Sequence, residues 1–343
     1  MPQLNKTSPG NNPADKAPTS EKHIKLREEA INRARKRRRR TAFIIASVVI
    51  VLILIIVGVS LYINSAPFRR TIITVDDASI NMDYFLKRTR LAGVDSMEML
   101  GVFTNELLIK VTAPRYVAEV SPEDIDQELR RIASGESETI SEIEFKEWYR
   151  QLLNEIDFSD SEYRDYIGTR LLSVRLHEYL AERVPTVAEQ VHLHAILLST
   201  EETEKIREKV DEGEDLDKLT REIWQDKQSE EEADDLGWLP RGVLVSGFDD
   251  IVFSLPIDEV SEPLPYISDP RSDEIFYYLL MVSEKADARE VDEDSLQILK
   301  AKALDDWLLE EIKFHEVEWH GLKNGFDSET YAWINWQLEK MEK

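Results

Sequence analysis

The sequence predicts a protein of the α+β class: a small antiparallel or mixed sheet with surrounding helices, a separate helical module, and one N-terminal transmembrane helix. Three observations predict it. An uncharged apolar run fills residues 42–63. Three Ser-led helix caps fall between residues 121 and 162. Between residues 191 and 282 the pattern changes to short apolar strands broken by short amphipathic helices.

Residues 42–63 read AFIIASVVIVLILIIVGVSLYI. No charge interrupts them, and their length matches a bilayer core of about 30 Å. Tyr62 stands at the far end, where an amphipathic ring is comfortable. The competing reading is a signal peptide cut at Asn64-Ser65-Ala66. Such peptides have apolar regions of only about 7–15 residues, so the uncut anchor is favoured. Arg33, Arg35, Lys36, Arg37, Arg38, Arg39 and Arg40 crowd the N-terminal flank and place it in the cytoplasm. Arg69 and Arg70 are a weaker signal on the exit side. Residues 1–41 then form a basic cytoplasmic tail, disordered by composition, and the rest of the chain lies outside the cytoplasm.

Charge supports this division. The tail carries twelve Lys and Arg against four Asp and Glu, and 42–63 carries none, so of the formal charge of −25 the remainder holds −33. A domain this acidic repels nucleic acid and anionic lipid surfaces. There is no cysteine, which excludes disulfides, thiolate metal sites and Cys nucleophiles. Glycine is scarce, and no Walker motif, nucleotide fingerprint or Ser-His-Asp arrangement appears.

A helical module is expected over 70–185. Thr71–Val75 reads as a short strand turning at Asp76-Asp77, and Asn81 as the N-cap of a helix. Residues 97–118 are again helical. Ser121-Pro122-Glu123-Asp124 supplies a cap, a Pro at the first helical position and an acid in the first turn. Ser141-Glu-Ile-Glu144 and Ser159-Asp-Ser-Glu162 are capping boxes. The last opens a long helix to about Leu180, and Val184-Pro185 ends the module.

A small α+β domain is expected over 188–287. Val191–Leu198 reads as a central strand, residues 201–211 and 216–224 as helices, and Asp226–Asp234 as a polar loop. Leu236-Gly-Trp238 is a short strand, and Phe248–Leu255 a short helix with Phe248, Ile251 and Val252 on one face. Val260–Leu264 has the look of an edge strand, and Ile275–Val282 is strongly β-prone. Residues 293–343 return to helix, from Ser295 to about Val317 and again over Asp327–Leu338. Their apolar stripes need a partner, for which the helical module is the candidate.

Several blocks recur together in order. They are Asp226-Lys-Gln-Ser229, Asp235-Leu-Gly-Trp-Leu-Pro-Arg-Gly242, Phe248-Asp-Asp-Ile-Val-Phe-Ser-Leu255 and Glu259-Val-Ser-Glu-Pro263. On these residues 190–283 resemble the parvulin family of peptidyl-prolyl isomerases. The flanks, with Val75–Ile80, the capped helices and the Val184–Gln190 linker, resemble the architecture of SurA and PrsA foldases. There a helical chaperone module precedes the parvulin domain and a C-terminal helix returns to it.

The resemblance implies an apolar slot for a proline ring made by Leu236, Leu244 and Phe248; the plain alternative is that all three are core. It places Asp226 beside the twisting amide, whereas an Asp in a polar loop is otherwise a turn residue or cap. The family carries histidines where this chain has Ala195 and Tyr278. Tyr278 can keep one hydrogen bond; Ala195 cannot. His194 is adjacent, but strand side chains alternate, so it belongs to the other face. His192 and His194 form an H-x-H, yet spacing offers no third ligand, so hydrogen-bonded neutral histidines are the reading. No metal or cofactor is expected. The acidic run Glu230–Asp235 lacks the spaced ligands of a calcium loop.

The implied function is a membrane-anchored, extracytoplasmic foldase that isomerises X-Pro bonds in unfolded or secreted polypeptides. The alternatives are a non-enzymatic chaperone with a degenerate parvulin domain, or a scaffold in a membrane complex docking through Tyr331–Trp336. Oligomeric state is not readable.

Overall fold

A computed structural model describes residues 47–341 except 61, 64, 136, 138, 215–217, 220–221, 224–232, 245–246 and 267–274. The basic tail, Asp226, and five of the nine residues of the expected 216–224 helix lie outside the described residues. The chain divides into two units, Met1–Arg70 and Thr71–Lys343. In the first, helix α1 covers residues 47–60, and its Val, Leu and Ile side chains are exposed. Among the described residues no helix is long and apolar enough to cross a membrane.

The second unit is mixed α+β. It begins with β1 (Thr71–Val75) and β2 (Ala78–Asn81), then α2 (Met82–Ala92), α3 (Ser96–Thr112), α4 (Pro122–Ser134), α5 (Glu142–Ile156) and α6 (Asp160–Ala181). Local chemistry starts these helices. Asn81 accepts a hydrogen bond from Tyr84 N–H. Ser121, Ser141 and Ser159 each close a reciprocal capping box, with Asp124, Glu144 and Glu162. Each box satisfies two N–H groups a helix start leaves orphaned, at about 1 kcal/mol per cap.

Next come β3 (Val187–Ser199), α7 (Thr200–Asp211), β4 (Ala233–Pro240), α8 (Phe248–Ser254), β5 (Leu264–Tyr266) and β6 (Phe276–Glu290). The chain ends in α9 (Glu293–Glu311), β7 (Val317–Trp319) and α10 (Ser328–Met341). Two antiparallel sheets result, ordered β2-β1-β7 and β4-β3-β6-β5.

Several elements differ from the sequence expectation. β2 and β7 were not expected; at four and three residues they carry too little pattern to read, and only pairing with β1 makes them strands. The expected Val260–Leu264 strand is a single bridge from Val260 to Met281, with the strand itself at Leu264–Tyr266. β4 begins at Ala233, inside the stretch read as loop. β6 runs to Glu290, because its polar second half pairs with the start of β3, Val187 opposite Glu290. That half is exposed and has no apolar signal.

β1 supplies Ile72, Ile73 and Val75 to the first core, where Phe85, Phe103, Leu108 and Leu176 are also buried. α9 packs on α6, and α10 on α2. His177 Nε2 lies 2.9 Å from Lys300 O across the α6–α9 contact.

Alternation along β3 builds two further cores. Val191, Leu193 and Ala195 face α8 together with Leu280 and Val282 of β6. Ile196 and Leu198 face α7 and pack with Ile206 and Leu279. The four-stranded sheet is therefore covered on both sides, which holds β3 and β6 rigidly in register.

Candidate functional site

The α8 face of the sheet is not completely filled. A cavity of about 250 Å³ opens there, lined by Leu193, Ala195, Leu236, Leu244, Phe248, Tyr266, Tyr278 and Leu280. Its floor is sheet: Leu193 and Ala195 from β3, Leu280 and Tyr278 from β6. Leu193 sits opposite Val282, and Ala195 opposite Leu280. The walls are Leu236 on β4, Leu244 after it, Phe248 at the start of α8, and Tyr266 on β5.

The aromatic rings set the shape. Phe248 meets Tyr278 edge-on at 6.3 Å and 84°. Tyr266 lies 5.1 Å from Tyr278. Such tilted contacts favour the ring quadrupoles and hold the rings without closing the space between them. Among the described residues, the only side-chain polar atoms in the lining are the two Tyr hydroxyls. The cavity is thus an apolar slot with its hydrogen-bonding groups at the β5–β6 side.

Four residues singled out from the sequence, Leu236, Leu244, Phe248 and Tyr278, line this one cavity, and Ala195 forms part of its floor. Asp226 lies outside the described residues. Tyr266 was not singled out; its β5 strand is placed only by pairing with β6, Tyr266 opposite Phe276.

A second residue missed by sequence reasoning supports the wall. Asp249 Oδ2 accepts a hydrogen bond from Gly242 N–H at 3.0 Å, which ties the Arg241–Leu244 turn to α8. Burial pushes the Asp249 carboxyl above its ordinary range, against the Gly242 hydrogen bond and the Lys302 and Arg241 charges. An acid in a first helical turn ordinarily reads as a surface group favoured by the helix dipole, so nothing local marked it. Gly242 has φ 99°, and a Cβ there would come within 2.9 Å of Leu299 Cδ2. Only glycine fits that turn against α9.

His192 and His194 fall on the opposite side of β3 from Leu193 and Ala195. Ser283 Oγ lies 2.9 Å from His192 Nδ1 and 3.0 Å from His194 Nε2. Burial lowers the His194 pKa below its ordinary value, with the Asp235 carboxylate opposing. Asp235 reaches both rings, at 3.5 and 3.7 Å. Spacing concealed this third group: it is far along the chain and arrives through the β3–β4 register, in which His194 pairs with Asp235.

Part of this domain matches a known family. Residues 198–277 match the family model described as Rotamase, the PPIC-type PPIASE domain. The chain is 28% identical over 177 residues to the foldase protein PrsA of Geobacillus kaustophilus, covering 51% of this chain and 59% of that one. It is 32% identical over 99 residues to the PrsA of a second Geobacillus, covering 29% and 33%. It thus spans between a third and about three-fifths of the length of these curated relatives. Among solved structures, a peptidylprolyl isomerase (PrsA) from Bacillus anthracis aligns over 71% of this chain and 97% of its own, at 18% identity and a TM-score of 0.29. The chain carries a PPIC-type domain and shares homology with the PrsA foldases.

Proposed function

We propose that the protein is a peptidyl-prolyl cis-trans isomerase that acts as a foldase on unfolded polypeptides outside the cytoplasm. The observation that carries this reading is the apolar cavity bounded by Leu236, Leu244, Phe248 and Tyr278. X-Pro isomerisation is slow enough to limit folding, and it needs no covalent step. Its barrier of about 18–20 kcal/mol comes from amide resonance. A catalyst must bind the twisted amide better than either planar form.

Magnitudes divide the work. Burying the three ring methylenes of proline at about 0.8 kcal/mol each gives about 2–2.5 kcal/mol. That anchors the residue but favours cis, trans and twisted forms alike. The differential term must come from polar groups beside the amide. Tyr278 is one such group, and Asp226, on the polar segment leading into β4, is the second.

Residues 42–63 act as the anchor in this reading. What supports this is the uncharged run flanked by Arg33–Arg40, and the exposed apolar side chains along α1. Clients are neutral or basic chains, drawn to a strongly acidic domain. A second reading, a chaperone that binds without catalysis, is favoured by one observation: Ala195, 4% exposed in the cavity floor, offers no hydrogen bond where the parvulin resemblance expects a histidine.

The test is prolyl cis/trans exchange by NMR on a short X-Pro peptide, with the full chain in detergent and its Asp226→Ala and Tyr278→Phe variants. Acceleration by the wild type that falls in the variants supports the isomerase. Absence of acceleration by folded wild type sinks it and leaves the chaperone reading.

A further inference from the structure

We infer that His192, His194 and Asp235 form a binding site for a divalent transition cation of the zinc class, on the sheet face opposite the apolar cavity. One ligand atom from each of the three lies within 4.8 Å of the others. Tetrahedral zinc with bonds of about 2.0–2.2 Å places its donors roughly 3.3–3.5 Å apart. Asp235 Oδ1 is 3.5 Å from His192 Nε2 and 3.7 Å from His194 Nδ1. Two of the three edges are already near that length, and the third lies within 4.8 Å, so an inward movement of the donors closes the set.

The surrounding groups aim the imidazoles. Ser283 Oγ approaches the other nitrogen of each ring, Nδ1 of His192 and Nε2 of His194. Those two nitrogens lie 3.3 Å apart over the same hydroxyl. The hydroxyl's own proton has an acceptor in His192 O, at 3.4 Å. In one pair of tautomers Ser283 Oγ accepts N–H bonds from both rings. This pair turns the lone pairs of His192 Nε2 and His194 Nδ1 toward Asp235. A carboxylate oxygen facing two imidazole lone pairs is a donor set suited to a cation. Gly237 N–H, 2.9 Å from Asp235 Oδ1, fixes the carboxylate. Metal-ligating histidines and carboxylates are characteristically held by such outer hydrogen bonds.

Exposure completes the case. His192 and His194 side chains are 20% and 18% exposed, and that of Asp235 is 60%. The cation reaches the site from the Asp235 side, and its fourth position is open to water. Imidazole donors select zinc, copper and nickel over calcium and magnesium, which require oxygen. Since Asp235 directly precedes Leu236, a bound cation ties the β4 wall of the cavity to β3.

The test is calorimetric titration of the chelator-stripped full chain in detergent with Zn²⁺. One strong site is expected above any weak binding by the acidic surface, and a large excess of Ca²⁺ leaves it intact. His192→Gln/His194→Gln removes that site. Ser283→Ala, which keeps all three donors, weakens it about 10–100-fold. Circular dichroism monitors folding of the variants. X-ray absorption at the zinc edge of the wild type needs no variant, and it must show two imidazoles in the first coordination sphere. No strong site, one indifferent to Ser283 and the histidines, or a zinc spectrum without imidazole overturns the inference.

Discussion

Phe248→Ala measures the role of the cavity directly. Phe248 is partly buried, packs against the β3–β6–α8 core and meets Tyr278 edge-on at 6.3 Å. Fully burying a Phe side chain is worth about 1.5–3 kcal/mol. Its exposed part, at most about a third, becomes buried when a proline ring enters, worth about 0.5–1 kcal/mol. Loss of the ring's geometric constraint on Tyr278 adds about 0.5–1.5 kcal/mol. The sum, at about 1.4 kcal/mol per factor of ten, is a fall of about 5–50-fold in kcat/KM. The assay is exchange on an X-Pro peptide, beside a urea melt. The control is Ile206→Ala, 4% exposed on the opposite face of the sheet. It removes about 2–5 kcal/mol of stability, yet leaves kcat/KM of the folded enzyme unchanged. A folded Phe248→Ala protein within twofold of wild type, or an Ile206→Ala effect of equal size, would refute the assignment of this cavity to substrate.

Arg88 in the helical module is 5% exposed and forks onto Glu106 at 2.7 and 3.2 Å, with the Tyr166 ring 4.1 Å below its guanidinium. Arg88→Ala leaves the Glu106 charge without its partner and costs about 3–5 kcal/mol by urea denaturation; Arg88→Met with Glu106→Leu recovers most of it. His315 holds β7 to the β1–β2 turn through Asp76 at 2.7 Å, with Glu311 at 3.3 Å. The Asp76 hydrogen bond raises the His315 pKa above its ordinary 6.5, and the same bond lowers that of Asp76 below 3.8. The His315 contribution is complete below pH 6.5 and is lost as pH rises through the raised value; that of Asp76 is present above pH 3.8 and lost as pH falls. Urea midpoints must therefore decline as pH rises from 6.5 through the raised His315 value, and His315→Gln must flatten that limb.

The legible parts of the fold were those whose cause is local. Ser121, Ser141 and Ser159 each carry their capping partner three residues on, so the helix starts could be read from spacing alone. The illegible parts were those whose cause is a partner distant in sequence. β7 is a strand only because Val317 meets Val75, and the second half of β6 only because it meets the start of β3. The cavity divides in the same way. Nothing in the periodicity singles out Leu244 or Tyr278; the ordered blocks of the parvulin resemblance do. Tyr266 and Asp249 enter the site through strand pairing and a backbone hydrogen bond, neither of which leaves a mark in the chain.

The register of β3 joins the two sites. With a side-chain period of two, Leu193 and Ala195 must share one face, and His192 and His194 the other. Placing a histidine one position from where the parvulin pattern has it therefore moves an imidazole through the sheet, not along it. The cavity floor there is Ala195, with no hydrogen-bonding group, while the far face carries a pair of imidazoles beside Ser283 and Asp235. Two consequences follow from one alternation. Among the described residues, the polar groups beside the cavity come from the β5–β6 side, where Tyr266 and Tyr278 stand. And β4 carries Asp235 toward the histidines and Leu236 toward the cavity, so the two faces share one strand.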